Sequence, residues 1–77
     1  MEIEELRSFA KDLDCICEQD FHALANITPN TARSWRNRGR APMPILLGTR
    51  YFYPMSAIRQ VIAEKSKEVT EDLQVIL

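Results

Sequence analysis

The fold follows from residues 21–42, which have the sequence FHALANITPNTARSWRNRGRAP. Pro29 lacks a backbone N–H and suits the first position of a helix, where Thr28 can cap the free N–H groups. Gly39 tolerates the left-handed conformation that ends many helices. These signals predict a helix over about residues 29–38.

A shorter helix is predicted just before it, over about residues 18–25. Glu18 and Asp20 place acidic side chains in its first turn, where they favour the helix dipole. In the following helix, Ala32 and Trp35 recur three residues apart and are expected to be buried. The opposite face of that helix carries Asn30, Arg33, Ser34 and Asn37. Two helices joined by about three residues, the second with polar side chains outward, predict a helix-turn-helix.

A β-hairpin is predicted after the helix-turn-helix. Residues 40–44 are expected to be an extended linker, because each of their two prolines disfavours helix at the residue before it. Two short β-prone runs, residues 45–47 and 51–53, flank the three-residue connection 48–50, which contains a glycine. A last helix is predicted over about residues 54–65. Its inner face is expected to comprise Met55, Ile58, Val61 and Ile62.

Both ends of the chain add amphipathic segments. A first helix is predicted over about residues 2–14, and its apolar stripe comprises Ile3, Leu6, Phe9 or Ala10, and Leu13. The C-terminal stripe comprises Val69, Leu73, Ile76 and Leu77. That tail either folds back onto the first helix or associates with a second copy. The 77 residues are therefore expected to form one winged helix-turn-helix domain over 1–65, mainly α with a small β-hairpin, followed by a tail over 66–77.

Charge is distributed unevenly along the chain, although ten Lys and Arg against eleven Asp and Glu give a formal net charge of only -1. Residues 1–20 sum to -5 and residues 64–77 to -2, whereas residues 21–63 contain six Arg and no acid. Guanidinium groups without carboxylates nearby in the sequence favour binding of an external polyanion, and nucleic acid is the expected one.

Other function classes have weaker support. Cys15, Cys17 and His22 offer three soft ligands, whereas a structural zinc site normally needs four, so reduced thiols and no metal are expected. With one His and no Gly-rich phosphate loop, neither catalysis nor a cofactor is expected. No apolar run approaches the roughly 18 residues that span a bilayer, so a cytoplasmic protein without a membrane partner is expected.

The motifs in residues 21–42, together with LGTRYFYP at residues 47–54, resemble the small winged-helix DNA-binding proteins of the excisionase family. That family shares its fold with the N-terminal domain of MerR-type regulators. The resemblance covers about residues 16–63 and rests on the Ala-rich first helix, the Arg-rich end of the second helix at a glycine, the following x-Pro and the Gly-x-Arg wing tip. In size and acidic ends the chain is similar to phage recombination directionality factors, including Cox-type proteins.

The resemblance implies a sequence-specific duplex-DNA-binding protein of a phage or mobile element, active in the cytoplasm of a bacterial host. Such a protein binds and bends DNA, directs a site-specific recombinase toward excision and represses a promoter as a second role. Its expected partners are other copies of itself on DNA and an integrase. A simple transcriptional regulator and a DNA-packaging subunit share this fold and stay open as alternatives. An anti-repressor with an acidic, DNA-mimicking N-terminal helix is disfavoured by the acid-free residues 21–63.

The resemblance also implies roles for individual residues. Asn30, Arg33 and Ser34, with Asn37 as a further candidate, are expected to contact base edges in the major groove through the helix over residues 29–38. Thr49 and Arg50 at the wing, residues 48–50, are expected to contact the backbone or the minor groove. The full expected DNA-binding set is Thr28, Asn30, Thr31, Arg33, Ser34, Arg36, Asn37, Arg38, Arg40, Thr49 and Arg50.

Side-chain chemistry divides the expected set into two groups. Arg33 can bind guanine O6 and N7 bidentately and Asn30 can do the same for adenine, although phosphate contact by Arg33 is an open alternative. The phosphate-binding residues are expected to be Arg36, Arg38 and Arg40.

Overall fold

The computed structural model describes the backbone of residues 1–76 and the side chains of residues 1–67. Helices and short strands alternate along the chain. The elements in order are α1 (Ile3–Asp12), β1 (Cys15–Cys17), α2 (Glu18–Ala25), α3 (Pro29–Asn37), β2 (Ile45–Leu47), β3 (Arg50–Pro54) and α4 (Met55–Ile76). The prediction of a mainly helical chain with a small β-sheet is confirmed. No helix among the described residues is both long and apolar enough to cross a membrane.

The sheet has three antiparallel strands in the order β1-β3-β2, where a two-stranded hairpin was predicted. The additional strand is β1. From the sequence, these residues were expected only to separate two helices. Its central residue Ile16 pairs with Tyr53, and its ends Cys15 and Cys17 pair with Pro54 and Phe52. A three-residue strand is too short to show the alternation of polar and apolar residues, so its pairing is visible only in the folded chain.

The turn between β2 and β3 contains two residues, one fewer than predicted. Leu47 pairs with Arg50, which leaves only Gly48 and Thr49 between the strands. Gly48 has a φ of +65°, a left-handed value that two-residue hairpin turns require and that glycine adopts without strain. Arg50 is therefore the first residue of β3. The pleat of the sheet determines the face on which its side chain lies.

Capping interactions fix both ends of α3 as predicted. The hydroxyl of Thr28 accepts a hydrogen bond from the N–H of Thr31 at 3.2 Å, which satisfies one of the free donors of the first turn. At the other end Gly39 has a φ of +69°, and the N–H of Arg40 donates to the carbonyl of Trp35 at 2.9 Å. This pattern is a Schellman motif, and it turns the chain sharply away from the helix.

The end of α2 closes in a similar way, with asparagine in the place of glycine. Asn26 has a φ of +54°, and the N–H of Ile27 donates to the carbonyl of His22 at 3.0 Å. Only residues 26–28 then separate α2 from α3. Because this short connection is fixed at both ends, the orientation of α3 relative to α2 is determined locally.

The core lies on both faces of β3. Phe52 packs with Leu6, Ala10 and Cys17 on the face covered by α1. On the other face Tyr53 stacks on Phe21 of α2, with ring centroids 3.9 Å apart and an interplanar angle of 15°. Ile58 of α4 completes this second cluster, against which Trp35 of α3 also packs. Burial raises the pKa of the Tyr53 hydroxyl above its ordinary value.

Several residues expected in the core are exposed. In α1 the buried row is Leu6 and Ala10, so Phe9 and Leu13 lie on the solvent side of the helix. In α4, Ile62 was expected to face inward and is also exposed, as is Leu24 of α2.

The last helix is longer than predicted, since α4 continues from Met55 to Ile76 where an end near residue 65 was expected. The predicted apolar stripe of the tail, formed by Val69, Leu73, Ile76 and Leu77, lies outside the residues whose side chains are described.

Candidate nucleic-acid interface

The outer face of α3 carries a row of exposed polar side chains. Asn30, Arg33 and Asn37 are spaced by three and four residues, which places them on one side of the helix, and Ser34 beside them is half-buried. Ala32 on the opposite side is 1% exposed and anchors the helix to the core. The structure therefore presents together the residues that were expected to contact base edges.

One arginine in the last turn of α3 and one just after the helix lie over aromatic rings. The guanidinium carbon of Arg36 is 4.0 Å from the ring centroid of Tyr51, and that of Arg40 is 4.3 Å from the ring centroid of Trp35. A guanidinium stacked in this way keeps the N–H donors at its edge available for an anion. The stacking therefore holds the direction of both side chains, and neither charge is paired with a carboxylate of residues 1–67.

The stacking also shows how Trp35 packs. Its side chain is half-buried against the core and lies under the guanidinium of Arg40. Tyr51 was expected to pack within the hairpin, with contact of a strand hydroxyl to phosphate as an open alternative, and the structure adds that Tyr51 joins α3 to β3 through Arg36. No local signal in the sequence indicates this contact, since the two residues are 15 positions apart.

Most arginines of the acid-free stretch lack an acidic partner among the described side chains. Arg33, Arg38 and Arg50 are exposed and have no ion-pair or hydrogen-bond partner among the side chains of residues 1–67. The sixth arginine of the acid-free stretch, Arg59, differs because its guanidinium lies 3.6 Å from the carboxylate of Asp14. The positive charge available to an external anion is therefore concentrated on α3, the residues after it and the start of β3.

The wing residue Arg50 lies on a different face of the sheet from α3. Side chains alternate along a strand, so Arg50 shares the face of Phe52, which packs against α1, whereas Tyr51 faces α3. Consistent with this, Arg50 lines a shallow cleft with Leu6. The structure thus brings Arg36 next to the hairpin but separates Arg50 from the residues of α3 by the thickness of the sheet.

Two further residues of the expected set, Thr28 and Thr31, have partners within the protein. Besides the capping bond, their hydroxyl oxygens lie 3.0 Å apart and share a hydrogen bond. Thr28 remains exposed and Thr31 is half-buried. These hydrogen bonds stabilise the first turn of α3, so both threonines contribute to starting the helix at Pro29.

An ion pair that the sequence did not indicate ties α1 to α2. Arg7 donates from Nη2 to Oδ1 of Asp20 at 2.8 Å and from Nε to Oδ2 at 3.0 Å, and the buried thiol of Cys17 donates to Oδ2 at 3.2 Å. The hydrogen bonds from Arg7 lower the pKa of Asp20, whereas burial, followed by the contact with Asp20, raises the pKa of Cys17. Cys15 and Cys17 are both free thiols.

No metal-binding cluster is formed by the described residues, since no three of their His, Cys, Asp and Glu side chains are placed to share an ion.

No family model, no curated protein and no solved structure matches this chain. Its function is therefore inferred from the geometry and charge of the surface just described. We call it the arginine surface. It comprises Asn30, Arg33, Ser34, Arg36, Asn37, Arg38 and Arg40 of α3 and the residues after it, whereas Thr49 and Arg50 of the wing lie outside it.

Proposed function

We propose that the protein binds duplex DNA through a winged helix-turn-helix in which α3 is the recognition helix. The observation that carries this proposal is the row of Asn30, Arg33 and Asn37 on the outer face of a capped helix, continued by Arg38, which has no acidic partner among residues 1–67. Nucleic acid is the polyanion that fits such a surface, because the major groove of B-DNA admits an α-helix and offers acceptors to Arg and Asn.

In this mode of binding, α3 enters the major groove with its polar row toward the base edges. Arg33 donates to O6 and N7 of a guanine, and Asn30, one turn earlier, bonds to an adenine. Arg38 and Arg40 contact the flanking phosphates, since both lie where the chain leaves the helix. Arg36 donates to a phosphate with the edge of its guanidinium while Tyr51 supports the other face.

The wing contacts DNA beside the recognition helix. Thr49 lies at the tip of the hairpin and Arg50 follows it, and both are exposed. Because Arg50 faces the α1 side of the sheet, it contacts the backbone or the minor groove next to the site and not the base pairs that α3 contacts. The two contacts together define a footprint longer than one helix provides.

The biological role that fits this surface best is that of an excisionase of a phage or mobile element, acting in the bacterial cytoplasm. A nine-residue recognition helix contacts few base pairs, so repeated sites bound by several copies supply the specificity. Bound copies bend the DNA, direct an integrase toward excision and repress a promoter that overlaps the sites. A simple regulator or a packaging subunit would use the same surface with a different protein partner.

A titration with salt tests the proposal. Binding of the protein to a labelled duplex is measured by fluorescence anisotropy across a series of salt concentrations. Each arginine that neutralises a phosphate contributes a slope of about -0.9 to a plot of log K against log salt, so three or four contacts predict a slope of about -3 to -4. Absent binding, or binding that does not change with salt, would refute the proposal.

Selection of bound sequences from random duplexes then identifies the site. Enrichment of one short motif in tandem copies supports the excisionase role. Enrichment of a single inverted repeat favours the simple regulator, because a two-fold symmetric dimer binds symmetric half-sites. An integrase that binds beside the protein only on the tandem motif would distinguish excision from packaging.

A further inference from the structure

The first strand of the hairpin, β2, exposes every one of its side chains. Ile45 is 56% exposed, Leu46 is 55% exposed and Leu47 is 60% exposed, although all three are large aliphatic residues. Successive side chains of a strand point to opposite faces, so the core covers neither face of β2. None of the three belongs to either cluster of the core. Three adjoining exposed aliphatic residues indicate a binding surface.

Leu47 is the residue of β2 nearest to the tip of the wing, and it lies beside Arg50. The two residues pair across the hairpin, so their side chains share one face of it. Only Gly48 and Thr49 separate them in the chain. Among the described residues, no atom beyond the chain neighbours of Gly48 lies within 4 Å of the point where a Cβ would stand. The turn therefore leaves Leu47 and Arg50 accessible from the tip.

The charge beside Leu47 favours nucleic acid as the molecule that covers it. Arg50 has no ion-pair partner among the side chains of residues 1–67, and residues 21–63 contain no acid. Glu18 lines the same cleft as Arg50 but forms no ion pair with it. An arginine next to an exposed aliphatic side chain is the combination that many minor-groove proteins use. The arginine binds in the negative groove, and the apolar side chain inserts between base pairs.

The other residues of β2 are less well placed for such a contact. Ile45 shares the face of Leu47 but lies two residues, about 7 Å, further from the tip. Leu46 points to the opposite face, where its partner across the hairpin is Tyr51. Because the minor groove is only about 6 Å wide, the hairpin enters it by its tip. Leu47 is therefore the side chain of β2 that can enter the groove together with Arg50.

We propose that Leu47 is an apolar wedge that inserts from the minor groove between two base pairs, beside the site bound by α3. Arg50 holds the tip of the hairpin in the groove. Insertion of Leu47 unstacks one base step and kinks the duplex toward the major groove, by about 20–90° in known cases of this kind. This role of Leu47 rests on the proposed function and goes beyond it, because it names the residue and the physical means that deform the DNA.

The wedge also adds a sequence preference at base pairs that α3 does not contact. Pyrimidine–purine steps such as TA and CA/TG unstack more easily than other steps. The duplexes that the parent selects are therefore expected to contain such a step beside the motif bound by α3. Selection with Leu47→Ala is expected to keep the motif contacted by Asn30 and Arg33 and to lose the preference at that step.

Two single variants isolate the wedge. Leu47→Ala removes most of the side chain from the tip of the hairpin. Leu46→Ala is the matched control, because it makes the same change in the same strand, at a residue of nearly equal exposure on the opposite face. Neither substitution changes the charge, so both variants are expected to keep the salt slope of the parent. Far-UV circular dichroism and urea titrations check that both keep the fold.

Unstacking and bending are measured on the duplex that the selection identifies. 2-Aminopurine, whose fluorescence is quenched by stacking, replaces one adenine at a time beside the α3 motif, and energy transfer between dyes at the two ends of the duplex reports the bend. The parent and Leu46→Ala are expected to raise the fluorescence at one step and to bring the ends closer. Leu47→Ala is expected to bind without the rise in fluorescence and with a smaller change in end-to-end distance.

Three results would overturn this role of Leu47. Salt-dependent binding of the parent that leaves every 2-aminopurine stacked would show that nothing inserts. A rise in fluorescence that persists in Leu47→Ala would assign the unstacking to another residue. Loss of self-association by free Leu47→Ala in sedimentation velocity, with unstacking and bending unchanged, would assign β2 to a protein contact. Failure of the proposed function is distinct from all three, since the parent would then show no salt-dependent binding to any duplex.

Discussion

The guanidinium of Arg36 lies over the ring of Tyr51, with 4.0 Å between the guanidinium carbon and the ring centroid. Arg36 is in the last turn of α3 and Tyr51 is the second residue of β3, so the contact joins the candidate recognition helix to the hairpin. A cation–π contact at a partly exposed site contributes about 0.5–1 kcal/mol. It therefore helps to hold α3 in its orientation relative to the hairpin.

Replacing Tyr51 with leucine is expected to weaken both the fold and DNA binding slightly. Leucine keeps apolar packing but offers no π face, so the free energy of unfolding should fall by about 0.5–1 kcal/mol in urea titrations. DNA affinity should fall by about two- to fivefold for the same loss, because the position of Arg36 is no longer held. Tyr51→Phe keeps the ring and should behave like the parent. A Tyr51→Leu variant that binds DNA as the parent does would remove this contact from the binding mode.

The capping hydroxyl of Thr28 supports a prediction on stability alone. Thr28→Ala leaves a free N–H in the first turn of α3, where Thr31 now donates at 3.2 Å, and should lower the free energy of unfolding by about 1 kcal/mol. Thr28→Ser keeps the acceptor and is expected to restore most of the loss. Urea titrations of the three proteins measure the difference. Equal stability of the alanine and serine variants would show that α3 does not depend on this cap.

The pair of Arg7 and Asp20 makes stability depend on pH on the acid side. The hydrogen bonds from Arg7 lower the pKa of Asp20 in the folded chain, so protons bind more readily to the unfolded chain. The stabilisation is therefore present above the unfolded pKa of about 3.9 and is lost as the pH falls through the folded value. Asp20→Asn and Arg7→Gln should each be less stable than the parent at pH 7, by an amount that shrinks in acid. A difference that stays constant down to pH 2 would contradict the assignment.

Local signals were enough to predict the helices that carry the candidate site. Pro29 and Gly39 mark the limits of α3 because a proline at the start and a glycine at the end act through their own backbone conformations. The outward row of Asn30, Arg33 and Asn37 follows from helical periodicity once those limits are known. The polar face could therefore be predicted from the sequence to the level of single residues.

Contacts between distant segments could not be predicted in this way. The pairing of Ile16 with Tyr53 spans 37 positions and depends on how α1 and α4 enclose the sheet. Likewise, the positive charge of Arg59 is matched by Asp14, which the segment sums count as part of a separate acidic block. Charge summed along the chain therefore counts as unpaired one arginine, Arg59, that has an acidic partner in the fold.

The difference between Arg59 and the arginines of α3 provides the sharpest test of the arginine surface. Arg33→Ala should lower affinity for the selected site by about 1–3 kcal/mol and relax the preference at one base pair, because it removes a contact to a base edge. Arg38→Ala should weaken binding to all duplexes alike and reduce the salt slope by about 1, because it removes a phosphate contact. Arg59→Ala carries the same change in net charge, but its side chain pairs with Asp14 and should leave both affinity and slope near those of the parent. Anisotropy titrations on specific and random duplexes measure all three, and equal losses for Arg38→Ala and Arg59→Ala would mean that net charge and not this surface determines binding.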